Sequence, residues 1–379
     1  MRTSYLAASL LWVMSFNVFA GIEACTEETC MAVVDAGSTG SRLHVYAYTD
    51  AQKGPINIHE VYSKKVTPGF ATLSPDADAI NAYLDNLMPQ GSNMALPLYF
   101  YATGGMRLLP PNQQDARYAQ LRQWFGRQSD WSLKAARTVP GKDEAVWGWL
   151  AVNYQLGRLQ TSQIAPAGVL DMGGASVQIT FPIDAKRTDA EQDIETITVY
   201  GQRITLFART FLGLGQTDMS HQFLDAAACF PKGYPLPDGG RGEGDARQCR
   251  DEVARLVNDV QRVNVFVEPS ISKAMVTDWY TLSGLASLVQ NPPYAIKDAT
   301  AFTMDDLLQE ADNRACQRTW KALNEDYADN GYLFGSCLFP AYYYALVMDG
   351  YGLPAGTPIN TLASSLSGDW TLGVVLHPA

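Results

Sequence analysis

Two aspartates, Asp35 and Asp171, occupy matched settings 136 residues apart. The first lies in "VVDAGSTGSRLHVYAY" (33–48), the second in "GVLDMGGASVQITF" (168–181). Each ends an apolar run that reads as a strand. Two positions later comes a glycine, Gly37 or Gly173, then small residues, then alternating side chains that read as a second strand. A glycine turn after a strand frees backbone N–H groups and lets an anion approach closely. Ser38 and Thr39 add hydroxyl donors, Gly40 closes the first turn, and Gly174 and Ala175 extend the second. A carboxylate there would repel phosphate unless a cation lay between them. An oxygen-only donor set suits Mg²⁺ or Ca²⁺. One such aspartate could simply accept the N–H bonds of its own turn; a matched pair points to a shared cleft. Neither turn is a P-loop or a dinucleotide-binding turn, because no GxxxxGK[ST] occurs and a strand follows.

Attack of water on phosphorus also needs a proton acceptor. Asp143 and Glu144 lie in "VPGKDEAVWGWLAVNYQLG" (139–157). Pro140 and Gly141 break the chain, both acids fall in the first helical turn, where the helix dipole favours them, and Gly157 ends the helix. Spacing does not choose between them as base. Ser176 and Gln178 are two apart on a strand and share a face. Thr103 precedes Gly104-Gly105 at another strand end. These three suit phosphate or water binding, and equally turn chemistry. The Tyr342–Tyr344 run could stack a base or fill a helix core.

Elements must hold these groups together. At ~100–200 residues per domain, 379 residues predict two domains. Hydrophobic content of 47% against 18% charged excludes a disordered chain, and the many glycines and prolines fit a mixed α/β fold. A motif repeated once, at this separation, is a duplicated lobe rather than a solenoid. "ALPLYFYATGGMRLLP" (95–110) reads as strand, turn and helix, running on through "DARYAQLRQWF". Residues 185–200 and 233–246 read as loops, 245–263 and 301–328 as helical.

The net charge is −11, without a Lys/Arg run, which excludes a nucleic-acid footprint. An anionic ligand would be held by local devices instead. Arg2, an apolar run from Tyr5 to Ala20 and the closing "VFA" read as a signal peptide, residues 1–20, so the chain is expected to be exported, secreted or periplasmic. No second apolar run reaches ~18 residues, so the mature chain is expected to lack a membrane anchor. In an exported chain six cysteines favour disulfides. The shortest loops pair Cys25–Cys30, Cys229–Cys249 and Cys316–Cys337.

Five ordered segments carry a family resemblance: "VVDAGSTGSRLHVY", "YATGGMRLLP", "GKDEAVWGWLAVNYQLG", "LDMGGASVQITF" and "DWTLG". Together they resemble the apyrases, the nucleoside triphosphate diphosphohydrolases, over nearly all of the mature chain. The resemblance implies a two-lobed actin/hexokinase-like (ribonuclease H-like) fold with an interlobe cleft, with lobes at 30–140 plus 361–379 and at 141–360. It implies a monomer that removes terminal phosphates from nucleoside tri- and diphosphates with Mg²⁺ or Ca²⁺. Residue by residue, it makes Asp35 and Asp171 holders of the metal's waters. Ser38, Thr39, Gly40, Thr103, Gly173, Gly174 and Ala175 become phosphate-binding. Glu144 becomes the base, Ser176 and Gln178 fix the attacking water, and Arg107 braces the site. Tyr343 is carried over as base-stacking, Trp370 and Gly373 as structural. The "ATGG" turn departs from the usual "ATAG". Other readings are an exopolyphosphatase of the same superfamily, a non-catalytic nucleotide-binding protein, and a sugar kinase, which export disfavours.

Overall fold

The computed structural model of the chain describes residues 21–378 except 27, 93, 162, 185–190, 295, 297–300, 364–365 and 367–368. The signal peptide expected at 1–20 lies outside the described residues. The first sheet has the order β3-β2-β1-β4-β5, from β1 (Thr29–Ala36), β2 (Ser41–Thr49), β3 (Ile56–Val66), β4 (Leu96–Ala102) and β5 (Trp131–Thr138). β1 to β3 form an antiparallel meander, and β4 and β5 add in parallel beside β1. The second sheet has the order β11-β10-β6-β7-β9-β8, from β6 (Gly168–Met172), β7 (Ser176–Pro182), β8 (Ile194–Val199), β9 (Gln202–Leu212), β10 (Trp279–Leu282) and β11 (Ile359–Thr361). Here too a hairpin and a third antiparallel strand lie on one side, and two parallel strands on the other. The duplication announced by the two aspartate motifs therefore extends to both sheets, with β8 as an added edge.

Strands covered on both faces explain the unbroken apolar runs that precede the aspartates. Val34 and Ala36 of β1 pack against Leu84 of the helix Ala77–Leu87 and Leu121 of the helix Pro111–Phe125. Val33, Tyr46 and Tyr101 face the other way. They pack on Trp147 of the helix Gly141–Gln155, on Val374 of the helix Thr371–Leu376, and with Val169 and Leu206 of the second sheet. That helix pair is thus sandwiched between the sheets, which is why the helix 141–155 is apolar nearly all round. Gly373 permits the contact: a Cβ there would lie 2.1 Å from the Trp147 carbonyl oxygen. Leu170, Val177 and Phe181 on the far face of the second sheet pack with the helices Ala246–Arg255, Met304–Ala311 and Leu338–Tyr344.

Several elements differ from the sequence reading. Residues 194–199, read as loop, form β8 on β9; the short polar–apolar alternation of an edge strand is a weak signal. The helix expected over 245–263 ends in a wide turn at Leu256–Val260 and breaks at Arg262, whose φ is +55°, before Val263–Ile271 begins. After β4 the chain makes only a short helix, Gly104–Arg107, and restarts at Pro111, because proline begins a helix but cannot continue one. The three disulfides pair as expected, Cys25–Cys30, Cys229–Cys249 and Cys316–Cys337. Among the described residues no helix is long and apolar enough to cross a membrane.

Candidate active site

The β1–β2 and β6–β7 turns face each other across a cleft of about 1030 Å³, lined by Asp35, Ser38, Thr39, Gly40, Thr103, Glu144, Asp171, Gly173–Ser176 and the segment Asp369–Trp370. They approach closely. A Cβ on Gly174 would lie 2.5 Å from Ser38 Oγ, so only glycine fits without a shift. A Cβ on Gly104 would lie 2.8 Å from that of Ala175, and one on Gly105 2.9 Å from Ser38 Cα. The "ATGG" turn is therefore the floor on which both turns rest. The carbonyls of Gly173, Gly174 and Ala175 accept bonds from the amides of Gln216, Thr217 and Gly213, at 2.8, 2.9 and 2.8 Å. Peptide planarity turns the amides of Gly174 and Ala175 the opposite way, away from Gln216 and Thr217.

Glu144 stands at the start of the helix 141–155 and is buried. Its Oε2 accepts from Arg107 Nη2 and, at 3.2 Å, from Gln178 Nε2. Arg107 is itself fixed by donation to the Val139 carbonyl at 3.0 Å and to Ser176 Oγ at 3.3 Å. Gln178 Nε2 also donates to Ser176 Oγ at 3.0 Å. With two donors on its oxygen, Ser176 keeps its own proton for a third partner. Burial pushes the Glu144 pKa up and the Arg107 guanidinium pulls it back. Asp143 differs sharply: its half-buried carboxylate points to Arg137, 3.6 Å away, outside the cleft. Structure thus separates two residues that spacing could not.

Asp35 and Asp171 end equivalent strands beside Tyr101 and Gln178 respectively. Asp171 Oδ1 accepts from Ser283 Oγ at 2.6 Å. Ser283 follows β10 with φ +56°, a strained backbone that aims its hydroxyl at the carboxylate. Asp35 Oδ1 is buried with no partner. Burial raises the Asp35 pKa well above the carboxylate range, with Asp369 and Glu144 adding to the rise. Burial, then the Glu144 charge, pushes Asp171 from 3.8 to about 7. An orphaned buried carboxylate oxygen and an acid pair reluctant to ionise together fit a hard divalent cation. Among the described residues no three His, Cys, Asp or Glu side chains converge on a direct metal site, so contact through water is the arrangement that fits.

These shifts have a sign. Asp171 holds its proton more tightly folded than unfolded, so its contribution is neutral below about pH 4 and destabilising above about pH 7. In EDTA, Asp171→Asn should be the more stable chain at about pH 8, with the gap closing toward about pH 4. Urea titrations across that range check this; a gap independent of pH would refute it.

One acid of the cleft, Asp369, escaped the sequence reading, together with the His44–Glu60 pair behind it. His44 on β2 is buried, with Nδ1 2.5 Å from Glu60 Oε1 and Nε2 3.0 Å from Asp369 Oδ2. Burial opposes its charge, but the two carboxylates outweigh burial and raise its pKa to about 10. Asp369 is held well below the usual carboxylate range by His44 and Thr371 despite its own burial. The local signals were a histidine on the same face of β2 as Arg42, the partner of Asp35, and the first residue of the "DWTLG" segment, Asp369. Arg42 and Lys65 also line the cleft and were not singled out. The base-stacking role carried over for Tyr343 is corrected: the ring is fully buried in the core, and its hydroxyl donates to Gln216 Oε1 at 2.6 Å. Tyr327 and Tyr332 line the cleft instead, far along the chain from both turns. Trp370 stacks on Trp147 with centroids 5.5 Å apart and also lines the cleft.

Two similar sheets whose hairpin turns meet across one cleft define an α/β fold of the actin-like class. Solved structures agree on that fold. A nucleoside triphosphate hydrolase from Neospora caninum superposes with TM-score 0.59 at 14% identity, covering 94% of each chain. A Ppx/GppA family protein from Aquifex aeolicus gives 0.53 at 12% identity, covering 92% of this chain and 96% of that one. The profile of the GDA1/CD39 (nucleoside phosphatase) family matches residues 22–229, and the chain belongs to that family. Curated relatives bear the names of nucleoside triphosphatases, nucleoside diphosphatases and apyrases. Nucleoside-triphosphatase ntp-1 of Caenorhabditis elegans is 27% identical over 91% of this chain and 72% of its own length.

Proposed function

We propose that the chain hydrolyses the terminal phosphate of nucleoside tri- and diphosphates and stops at the monophosphate. The observation that carries this reading is Glu144, a buried carboxylate aimed between two phosphate turns and steadied by Arg107 and Gln178. Water held by Ser176 and Gln178 attacks the terminal phosphorus in line. Its proton passes to a Glu144 oxygen as the P–O bond to the leaving phosphate breaks. The amides of Gly174 and Ala175, the hydroxyls of Ser38 and Thr39, and Thr103 hold the phosphoryl oxygens, so charge formed in the transition state meets fixed dipoles. Mg²⁺ or Ca²⁺, bound through waters on Asp35 and Asp171, would neutralise phosphate charge beside these acids. Arg42 and Lys65 supply further positive charge on the first-lobe side. The family name and the names of the relatives support the substrate class. The stopping point follows from the geometry required: a monophosphate has no second phosphate for the opposite turn to hold.

The same reading takes residues 30–140 with 361–379 as one lobe, 141–360 as the other, and a monomer. The apolar leader, removed after Ala20, and three disulfides support export. One assay tests the reaction: phosphate release from ATP, ADP, AMP and polyphosphate with Mg²⁺, Ca²⁺ or EDTA. Release is expected from ATP and ADP, none from AMP, and none in EDTA. Polyphosphate as the better substrate would move the chain to the exopolyphosphatase reading; binding without release would make it a nucleotide-binding protein.

A further inference from the structure

The Glu60–His44–Asp369 chain has no part in the reaction as written, yet it is costly to build. His44 is almost fully buried, and a buried cation is tolerated only when paired. Here it is paired twice. Glu60 Oε1 lies 2.5 Å from one ring nitrogen, and Asp369 Oδ2 lies 3.0 Å from the other. The opposite oxygen of Asp369 accepts from the Thr371 amide at 3.0 Å and the Thr371 hydroxyl at 2.7 Å. Thr371 Oγ1 is in turn 2.8 Å from Tyr46 OH on β2. Asp369 is therefore hydrogen-bonded through one oxygen and ion-paired with His44 through the other, against a strand more than 300 residues earlier, and it lines the cleft with Asp35. A latch for the end of the chain would need only an anchor. This one sets an ionised carboxylate beside the acids of the site, whose ionisation its charge opposes.

We propose that Asp369, fixed by His44 and Glu60, is a positioning residue that strengthens cation binding at the Asp35–Asp171 pair. A fixed negative charge behind two cation-facing carboxylates raises the attraction felt by a divalent ion, as outer-shell carboxylates do at metal sites. The inference rests on the proposed reading of the cleft as a cation site. It does not make Asp369 a ligand.

Ca²⁺ binding to the full chain, followed by calorimetry, tests it. Asp369→Asn should weaken Ca²⁺ binding by ~10-fold or more, and His44→Asn, although it removes a cation, should act in the same direction because Asp369 loses the partner that fixes its Oδ2. The double variant should bind no more weakly than Asp369→Asn alone, since both act through one carboxylate. Glu60→Gln, at the more exposed end, is the milder variant if His44→Asn does not fold. At saturating Ca²⁺ the kcat of Asp369→Asn should recover toward the wild-type value. An Asp369→Asn chain with a lower Tm but unchanged Ca²⁺ affinity, or losses that multiply in the double variant, would overturn the proposal. Asp35→Asn separates the two levels. If it also binds Ca²⁺ like the wild type, the cation reading fails and this inference with it. If it loses Ca²⁺ while Asp369→Asn does not, only this inference fails.

Discussion

Glu144→Gln is expected to lower kcat by ~10²–10⁴-fold while KM changes only a few-fold. The amide keeps the shape of the carboxylate and can still accept from Arg107 and Gln178, but it cannot take a proton from water. In the proposed reading substrate is held by the turns and by cleft-lining side chains other than Glu144, so binding should survive. The variant loses the ion pair with Arg107, and its Tm should fall modestly for that reason. Steady-state kinetics with a thermal scan on the same samples separate the two effects. A variant within tenfold of wild-type kcat would remove Glu144 as the base. Asp143→Asn is the control, because that half-exposed residue pairs with Arg137 outside the cleft. Its activity should stay within about threefold of the wild type, as for ordinary surface changes.

Removing the acid pair is the second large effect. Asp35→Asn or Asp171→Asn should each lower kcat/KM by ~10²–10³-fold, the usual scale for losing one preorganised electrostatic element. If both acids serve one ion, the double variant should be little worse than either single one. The independent readout is stability. A ligand that binds only the folded state raises Tm, so added Mg²⁺ or Ca²⁺ should shift the wild-type transition upward and leave those of the variants unmoved. The cation-free variants should also be at least as stable as the wild type near neutral pH, because burial makes ionised Asp35 and Asp171 unfavourable there. An unaltered cation shift in Asp35→Asn would separate that carboxylate from the ion.

How much of this was legible beforehand depends on the range of each interaction. The two aspartate hairpins were legible because strand, turn and strand lie within sixteen residues, and the pattern is repeated. The disulfides were legible because each closes a short loop, spanning 5, 20 and 21 residues. The edge strand β8 was not, since its pairing with β9 decides a segment whose own propensity is equivocal. The break at Arg262 was not, because nothing between 245 and 263 announces a left-handed residue.

The amino-acid sequence by itself determined the two glycine-turn hairpins, their aspartates, the duplicated plan and the helix that starts beside Glu144. All of these rest on contacts between near neighbours. Only the tertiary structure decided which of two adjacent acids faces the cleft, by turning Glu144 toward Arg107 and Gln178 and Asp143 toward Arg137. It alone sent Tyr343 into the core and brought Ser283 to Asp171 and Asp369 to His44. Those partners lie 112 and 325 residues apart. No local spacing encodes them, because they exist only once two sheets have closed over one shared pair of helices.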